Sequence, residues 1–405
     1  MTHSEQLNSA RKWWICGFLF LATVLNYLDR QVLALTAEKV MAEFRLTKES
    51  FGQVLSAFRY AYGIFQIVGG WSVDGCGPRL VYPAAVTLWS LAGILTAFAQ
   101  SVRVLSGFRF ALGVGEAFNW PCALKVTYRL IPAKDRALAN GIFNSGAAAG
   151  ALLAPLIVTF MTLYFGWRTA FVATGTLGAF WVAGWLWCTR PLADELGGAK
   201  LSAGELLVVV TRILGNRGFW MLAVTAVIVN SVSYFLADWI PLYLKTECGF
   251  GFAAGNLLSM FIYGNLEVGN ILVGLFVRRL VALGLSVPRA RKSALLVSCT
   301  LMSSGILTGF TPYVSVAVVS LMFVALGVAS FLVIYHTLLQ DLEPGYVGTV
   351  SGLLGGLGNL VYGYLSPSIG RLADLGQSSF TFALVGVLPW LAFLAMRWGT
   401  QERKS

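Results

Sequence analysis

Apolar runs of about 20 residues, each long enough to cross a bilayer, recur twelve times along the chain, with short polar or glycine-rich stretches between them. Their limits fall near 13–36, 50–71, 79–100, 103–127, 137–161 and 167–190, then near 217–241, 253–277, 293–310, 313–339, 346–367 and 378–398. The pattern predicts an all-α integral membrane protein of twelve transmembrane helices in two six-helix halves. The halves are 1–190 and 217–405, joined by a linker over 191–216. Inside the linker, Leu201–Leu214 predicts an amphipathic helix on the membrane surface, and no stretch is left over for a soluble domain.

Composition agrees. Of 405 residues, 57% are hydrophobic and 12% charged, against about 25% charged in soluble domains. Arg11-Lys12 leads straight into a run too long for the core of a cleavable signal. Six cysteines stand singly with no metal or disulfide spacing, so they read as small packing residues.

A net charge of +11 raises the question of nucleic acid, but its distribution answers it. An even number of spans puts both termini on one side. That side, with the loop at Arg79, the Arg129–Arg136 loop, the linker and the Arg278–Lys292 loop, holds 18 Lys and Arg, against 7 on the other. The positive-inside rule therefore predicts cytoplasmic termini. The excess charge is a topology signal, and no nucleic-acid partner is expected.

The informative residues are charges inside the runs. Asn26-Tyr27-Leu28-Asp29-Arg30 lies deep in the first. Each such charge costs roughly 2.5–3.5 kcal/mol on insertion scales and is expected to face a partner or a watery cavity. Span 4 carries Arg109-Phe110-Ala111-Leu112-Gly113-Val114-Gly115-Glu116. Its two charges are seven residues apart, nearly on one face and about 10 Å apart along the axis. Gly113 and Gly115 allow close helix packing, as do Gly146 and Gly150 in span 5. Arg59 in span 2 is a further intramembrane cation. It is open between a second substrate anchor and a partner for an acid such as Glu116.

Other acids read more plainly. Glu267 in span 8, with Asn270 one turn on, is open between a functional acid and a bond between helices, and Asp238 near the outer end of span 7 suits a gate contact. His336 is expected at the cytoplasmic interface.

The loop after span 2, Gly70-Trp71-Ser72-Val73-Asp74-Gly75-Cys76-Gly77-Pro78-Arg79, resembles the signature loop of the major facilitator superfamily, although Gly75 stands where a basic residue is usual. The 6+6 plan and the span 4 motif agree. The Asn-Tyr-x-Asp-Arg stretch, Ser56-Ala57-Phe58 leading to Tyr62 and Gln66, and Arg109 with Glu116 resemble the anion:cation symporter branch. Gly115-Glu116-Ala117, Asn119-Trp120-Pro121 and Gly141-Ile142-Phe143-Asn144-Ser145-Gly146 are most similar to bacterial hexuronate (galacturonate or glucuronate) transporters.

This resemblance implies roles. Asp74 and Arg79 would latch the cytoplasmic gate. Arg30 would anchor a substrate carboxylate through paired hydrogen bonds, with Tyr27 and Tyr62 lining the sugar-acid site. Asp29 would pair with Arg109, and Glu116 is the first candidate to carry the transported proton. Where sugar-acid members offer a polar amide on helix 5, this chain has Ala147, so substrate hydroxyls would be read by Asn144 or Asn359.

The expected protein is a proton-coupled symporter that imports a sugar-acid anion by alternating access between its halves. It is expected as a monomer in the bacterial inner membrane, surrounded by lipid, with protons as coupling ion and no other cofactor or metal. An exchanger or a sodium-driven carrier of another small organic anion is the alternative. An enzyme is disfavoured, because no nucleophile–base pair, metal cluster or phosphate-binding loop stands out. A transporter-derived sensor is disfavoured by the lack of a signalling domain.

Overall fold

Apolar side chains at every turn leave these runs no way to satisfy their backbone in lipid except as helices. The computed structural model describes residues 9–131, 133–197, 203–342 and 347–401, and among them there are sixteen α-helices and no strand. The first half contains α1 Ser9–Leu35, α2 Ala37–Phe44, α3 Lys48–Cys76, α4 Pro78–Thr96, α5 Val102–Glu116, α6 Asn119–Leu130, α7 Ala133–Phe165 and α8 Trp167–Cys188. After α9 Ala203–Gly215 come α10 Arg217–Thr246, α11 Phe252–Ala282, α12 Val287–Met302, α13 Gly305–Phe310, α14 Val314–Gln340, α15 Val347–Asp374 and α16 Ser378–Gln401.

Nine stretches among the described residues are long and apolar enough to cross a membrane. The helices α3 and α15 fall outside that set, at 29 and 28 residues, being broken up by Ser, Gly, Tyr and charged positions.

Four elements differ from the sequence expectation, each for a local reason. Span 4 is two helices, because the ring of Pro121 cannot be followed back to the carbonyl of Ala117, four residues earlier. Span 9 divides at Ser303-Ser304. There Ser303 Oγ donates to the Cys299 carbonyl at 3.0 Å and Ser304 Oγ to the Leu301 carbonyl at 2.6 Å, in competition with the helical ladder. The signature stretch expected as a loop is helical through Cys76, and the turn is made by Gly77 alone, at φ 80°, ahead of Pro78. The short α2 was expected as loop. It buries Ala37 and Val40 and ends at Arg45, whose φ of 51° is the left-handed conformation that closes helices.

The amphipathic linker helix forms as α9, with Val209 and Ile213, one turn apart, buried and Leu207 and Val208 exposed.

Contacts divide the chain into two units. One is drawn from residues up to Val40 and from Ala57–Ala203; the other from Met41–Ser56 and from Gly204 onward. In the first, α1 packs on α7 and α4 on α8 and α5. Its core is aromatic: Tyr82 meets Trp181 and Trp185 at 4.9 and 5.4 Å between ring centroids. A polar thread crosses that core, from Tyr82 Oη to Asn119 Oδ1 at 2.6 Å and from Asn119 Nδ2 to Thr23 Oγ1 at 3.4 Å, so α4, α6 and α1 keep one register.

In the second unit α10 packs on α15 and α16, and α11 on α14. The start of α3 belongs to this unit. Asp374 at the end of α15 accepts the Lys48 and Glu49 backbone N–H groups at 3.0 and 2.9 Å. Lys48 Nζ reaches Glu247 Oε1 at 3.0 Å, and Ser378 Oγ donates to the same oxygen at 2.8 Å. Large apolar side chains such as Phe180, Trp187 and Tyr364 remain exposed on helix surfaces, as lipid contact requires.

Candidate functional site

Every charge that the sequence places inside the first, second and fourth spans belongs to the first unit. A Cβ at Gly113 of α5 would lie 2.5 Å from the Phe58 carbonyl oxygen and 3.0 Å from the Ala61 side chain. Only glycine lets α5 approach α3 that closely. Arg109 lies one turn before this contact and Glu116 one turn after, so both are delivered to the Phe58 face of α3.

Arg30 comes from α1 to meet them. Its Nε and Nη2 donate to Glu116 Oε2 at 3.0 and 2.9 Å, and Nη2 also reaches Asn26 Oδ1, one turn back, at 3.3 Å. Glu116 is fully buried, while the Arg30 side chain keeps 12% exposure. Around the Arg30 guanidinium stand the rings of Tyr62 at 4.8 Å, Tyr27 at 5.1 Å and Phe58 at 5.2 Å. Such faces attract a guanidinium through the ring quadrupole. The Phe58 ring also has the guanidinium carbons of Arg109 at 5.0 Å and Arg59 at 5.4 Å.

The pairing inside this cluster differs from the expected one. Asp29 is buried, yet neither carboxylate oxygen has a hydrogen-bond donor, so no Asp29–Arg109 hydrogen bond is formed. Arg109 acts on Asp29 through charge at longer range, with Thr174 of α8 beside it. Arg109 has its guanidinium over the Phe58 ring instead, and Glu116 occupies Arg30. Glu116 Oε1, too, is buried without a hydrogen-bond partner. Each acid therefore has an oxygen on which a proton could be carried without displacing a donor.

Asn144 is exposed on α7, and Asn359 belongs to the second unit, where its Nδ2 donates to Tyr234 Oη at 3.0 Å and to the Gly355 carbonyl at 2.9 Å. Arg79 is half-buried at the start of α4, and its carbonyl accepts from Trp185 Nε1 at 3.2 Å. The side chain of Asp74 lies outside the described residues. Gly146 and Gly150 serve packing: Cβ atoms there would stand 2.5 and 2.6 Å from the Phe20 and Val24 carbonyl oxygens of α1. Asn270 Nδ2 donates to Glu267 Oε2 at 3.2 Å within α11, a local bond. No group of three His, Cys, Asp or Glu suited to a metal occurs among the described residues.

Sequence reasoning overlooked Phe58 and Asn26 as site residues, although both stand in the quoted motifs. The signal was present for each: Asn26 is one helical turn from Arg30, and Phe58 one turn from Tyr62 and next to Arg59.

The family model of the Major Facilitator Superfamily matches residues 19–367. The chain belongs to the major facilitator superfamily. Among curated relatives, the hexuronate transporter of Escherichia coli (strain K12) is 29% identical over 414 residues, covering 97% of this chain and 94% of the relative. The probable galactarate/D-glucarate transporter GarP of the same organism is 28% identical over 391 residues, covering 87% and 88%. Among solved structures, a D-xylose–proton symporter superposes with a TM-score of 0.76 at 16% identity, covering 94% of this chain and 96% of that one. A bacterial homologue of the lysosomal transporter Spinster gives 0.75 at 19%, covering 96% and 98%. This major facilitator is thus an all-α, multi-pass membrane transporter rather than an enzyme, and the two curated relatives named above are sugar-acid transporters by description.

Proposed function

We propose that this major facilitator is a proton-coupled symporter that imports a sugar-acid anion, a hexuronate in the first instance, by alternating access. The observation that carries this reading is the Arg30–Glu116 contact. One carboxylate occupies both facing donors of a guanidinium inside a cage of Tyr27, Phe58 and Tyr62.

A substrate carboxylate needs those same donors, because paired N–H···O bonds are how a guanidinium holds a carboxylate. Glu116 and the substrate therefore compete for Arg30. Protonation of Glu116 removes its charge and frees the guanidinium, and substrate docks. Loss of the proton restores the Glu116 carboxylate, which displaces the substrate. Coupling then follows from one site having different affinity for substrate in its two charge states. The tyrosine and phenylalanine faces suit the apolar C–H faces of a sugar ring, while hydroxyls need polar partners. Asp29 is the second proton carrier in this scheme, answering to Arg109. Asp74 and Arg79 are the cytoplasmic gate, and the termini are on the cytoplasmic face of a bacterial inner membrane.

The test is uptake of labelled galacturonate into proteoliposomes with and without an inward proton gradient, beside gluconate and a neutral hexose. Accumulation of the uronate only with the gradient is the expected result. Accumulation that follows a sodium gradient instead would move the protein to the sodium-driven class. Uptake of none of the sugars would remove the substrate assignment.

A further inference from the structure

The turn between α11 and α12, in the second unit, carries charge that the transport scheme does not use. From Val268 to Gln340 the sequence contains no Asp or Glu. Yet Arg278 and Arg279 stand near the end of α11, and Arg289, Arg291 and Lys292 near the start of α12. Arg291 is neutralised by Asp341, with Nη1 donating to Oδ2 at 2.6 Å. Arg278, Arg279, Arg289 and Lys292 are exposed, and no acid among the described residues pairs with them. Nor does Arg289 serve its own helix: a cation in the first turn opposes the macrodipole, and that turn holds no acid.

The turn that presents these cations is short and fixed. The Leu285 N–H donates to the Leu280 carbonyl at 3.1 Å and the Gly284 N–H to the Val281 carbonyl at 3.0 Å, the two bonds of a Schellman close. Gly284 supplies the left-handed φ of 93° that the close requires. Residues 283–286 thus join Phe252–Ala282 to Val287–Phe310, two stretches each long and apolar enough to cross a membrane. That holds the cations at the membrane boundary, within reach of headgroups. Among them Val281, Leu283 and Val287 are 37%, 69% and 46% exposed. Apolar groups beside basic ones suit the zone where headgroups meet acyl chains.

We infer that the α11–α12 turn is a docking surface for anionic phospholipids, whose phosphates lie among Arg278, Arg279, Arg289 and Lys292 while Leu283 and Val287 enter the acyl boundary. Charge complementarity sets the sign of the lipid, since clusters of four or more Lys and Arg at the end of a membrane helix are drawn to an anionic leaflet. The length of the turn favours lipid over a soluble acidic protein, because residues 283–286 do not lift the patch clear of the headgroups. Orienting the chain needs only that cations stay on one side. It does not need them gathered on one turn, without acids, beside exposed leucine and valine. Each cation near such a surface strengthens lipid binding about five-fold.

The experiment reads lipid at the turn itself. The full chain, with Cys76, Cys188 and Cys248 changed to Ser and Ser286→Cys added, is labelled with a fluorescent maleimide and placed in phosphatidylcholine bilayers. Quenching by brominated phosphatidylglycerol is compared with quenching by brominated phosphatidylcholine at equal mole fraction. Phosphatidylglycerol should be enriched at the label about five-fold or more. Arg289→Gln with Lys292→Gln should lower the enrichment about five-fold, as should Arg278→Gln with Arg279→Gln, whereas Arg278→Lys with Arg279→Lys should keep it. Arg103→Gln with Arg371→Gln, two exposed arginines at other helix ends, should leave it unchanged. With all four cations of the turn in place, raising salt from about 0.1 M to about 1 M shortens the screening length from about 10 Å to about 3 Å and should abolish the enrichment, which keeps the test independent of how the variants insert. No enrichment, or enrichment that salt and the Gln variants leave intact, would overturn the inference. So would an equal loss in the Arg103 and Arg371 variant, since net charge alone would then explain the effect. Binding of soluble polyglutamate without lipid enrichment would also overturn it and give the surface to an acidic protein.

Discussion

Arg30 holds Glu116 by two hydrogen bonds to a single oxygen, Oε2, while Oε1 of the same carboxylate is buried without a donor. The geometry links a proton site to a substrate site within one side chain. Glu116→Gln keeps the shape and removes the negative charge. It should abolish proton-driven accumulation, with the internal-to-external substrate ratio falling to about 1, while exchange continues, since equal affinity in both charge states shifts nothing. Uphill uptake by this variant, measured in proteoliposomes under an imposed gradient, would falsify Glu116 as the proton carrier.

Arg30→Lys tests the anchor. Lysine keeps the charge but replaces the planar fork with a point donor. The lost bond to a charged partner corresponds to about 1.5–3 kcal/mol, so the KM for galacturonate should rise about ten-fold or more. A KM within two-fold of the wild type would remove Arg30 as the carboxylate site.

Gly113→Leu tests the helix contact that delivers Arg109 and Glu116. Even a methyl group there would press on the Phe58 carbonyl at 2.5 Å. Overpacking of this kind costs about 1–3 kcal/mol. The detergent-solubilised variant should melt several degrees lower and bind substrate poorly, whereas Gly107→Ala, where a Cβ would meet nothing within 4 Å, should match the wild type.

Asp374 caps the start of α3 through the Lys48 and Glu49 N–H groups. Truncating a cap costs about 1 kcal/mol. Asp374→Ala should therefore speed hydrogen exchange over residues 48–52 by about five-fold, with Asp374→Asn intermediate. Unchanged exchange at those amides would show that packing alone holds the helix start.

Topology can be read with thiols. Single-cysteine proteins keeping Cys76 or Cys248 should react with an impermeant maleimide from opposite faces of the membrane, Cys76 from the cytoplasmic face. Burial pushes the Cys248 thiol above its usual range. A raised value means less thiolate at neutral pH, so its labelling should be slow at pH 7 and quicken as pH rises. Labelling of both from one face would contradict the charge-based orientation.

The fold class was legible because a membrane span imposes its length and apolarity on the sequence residue by residue. The positions of Asp29, Arg30, Arg109 and Glu116 were legible for the complementary reason, that a charge in such a run is conspicuous. Even the breaks in spans 4 and 9 had local marks, in Pro121 and in Ser303-Ser304. Sequence by itself thus determined which residues carry charge into the membrane and on which helices. Which acid meets which arginine was decided only by tertiary structure. Asp29 and Glu116 are equally available on paper, and the structure pairs Arg30 with Glu116. Phe58 is likewise the shared face of three arginines only in the folded chain. Pairing depends on distances of a few ångströms between separate helices, and no period along one chain encodes them.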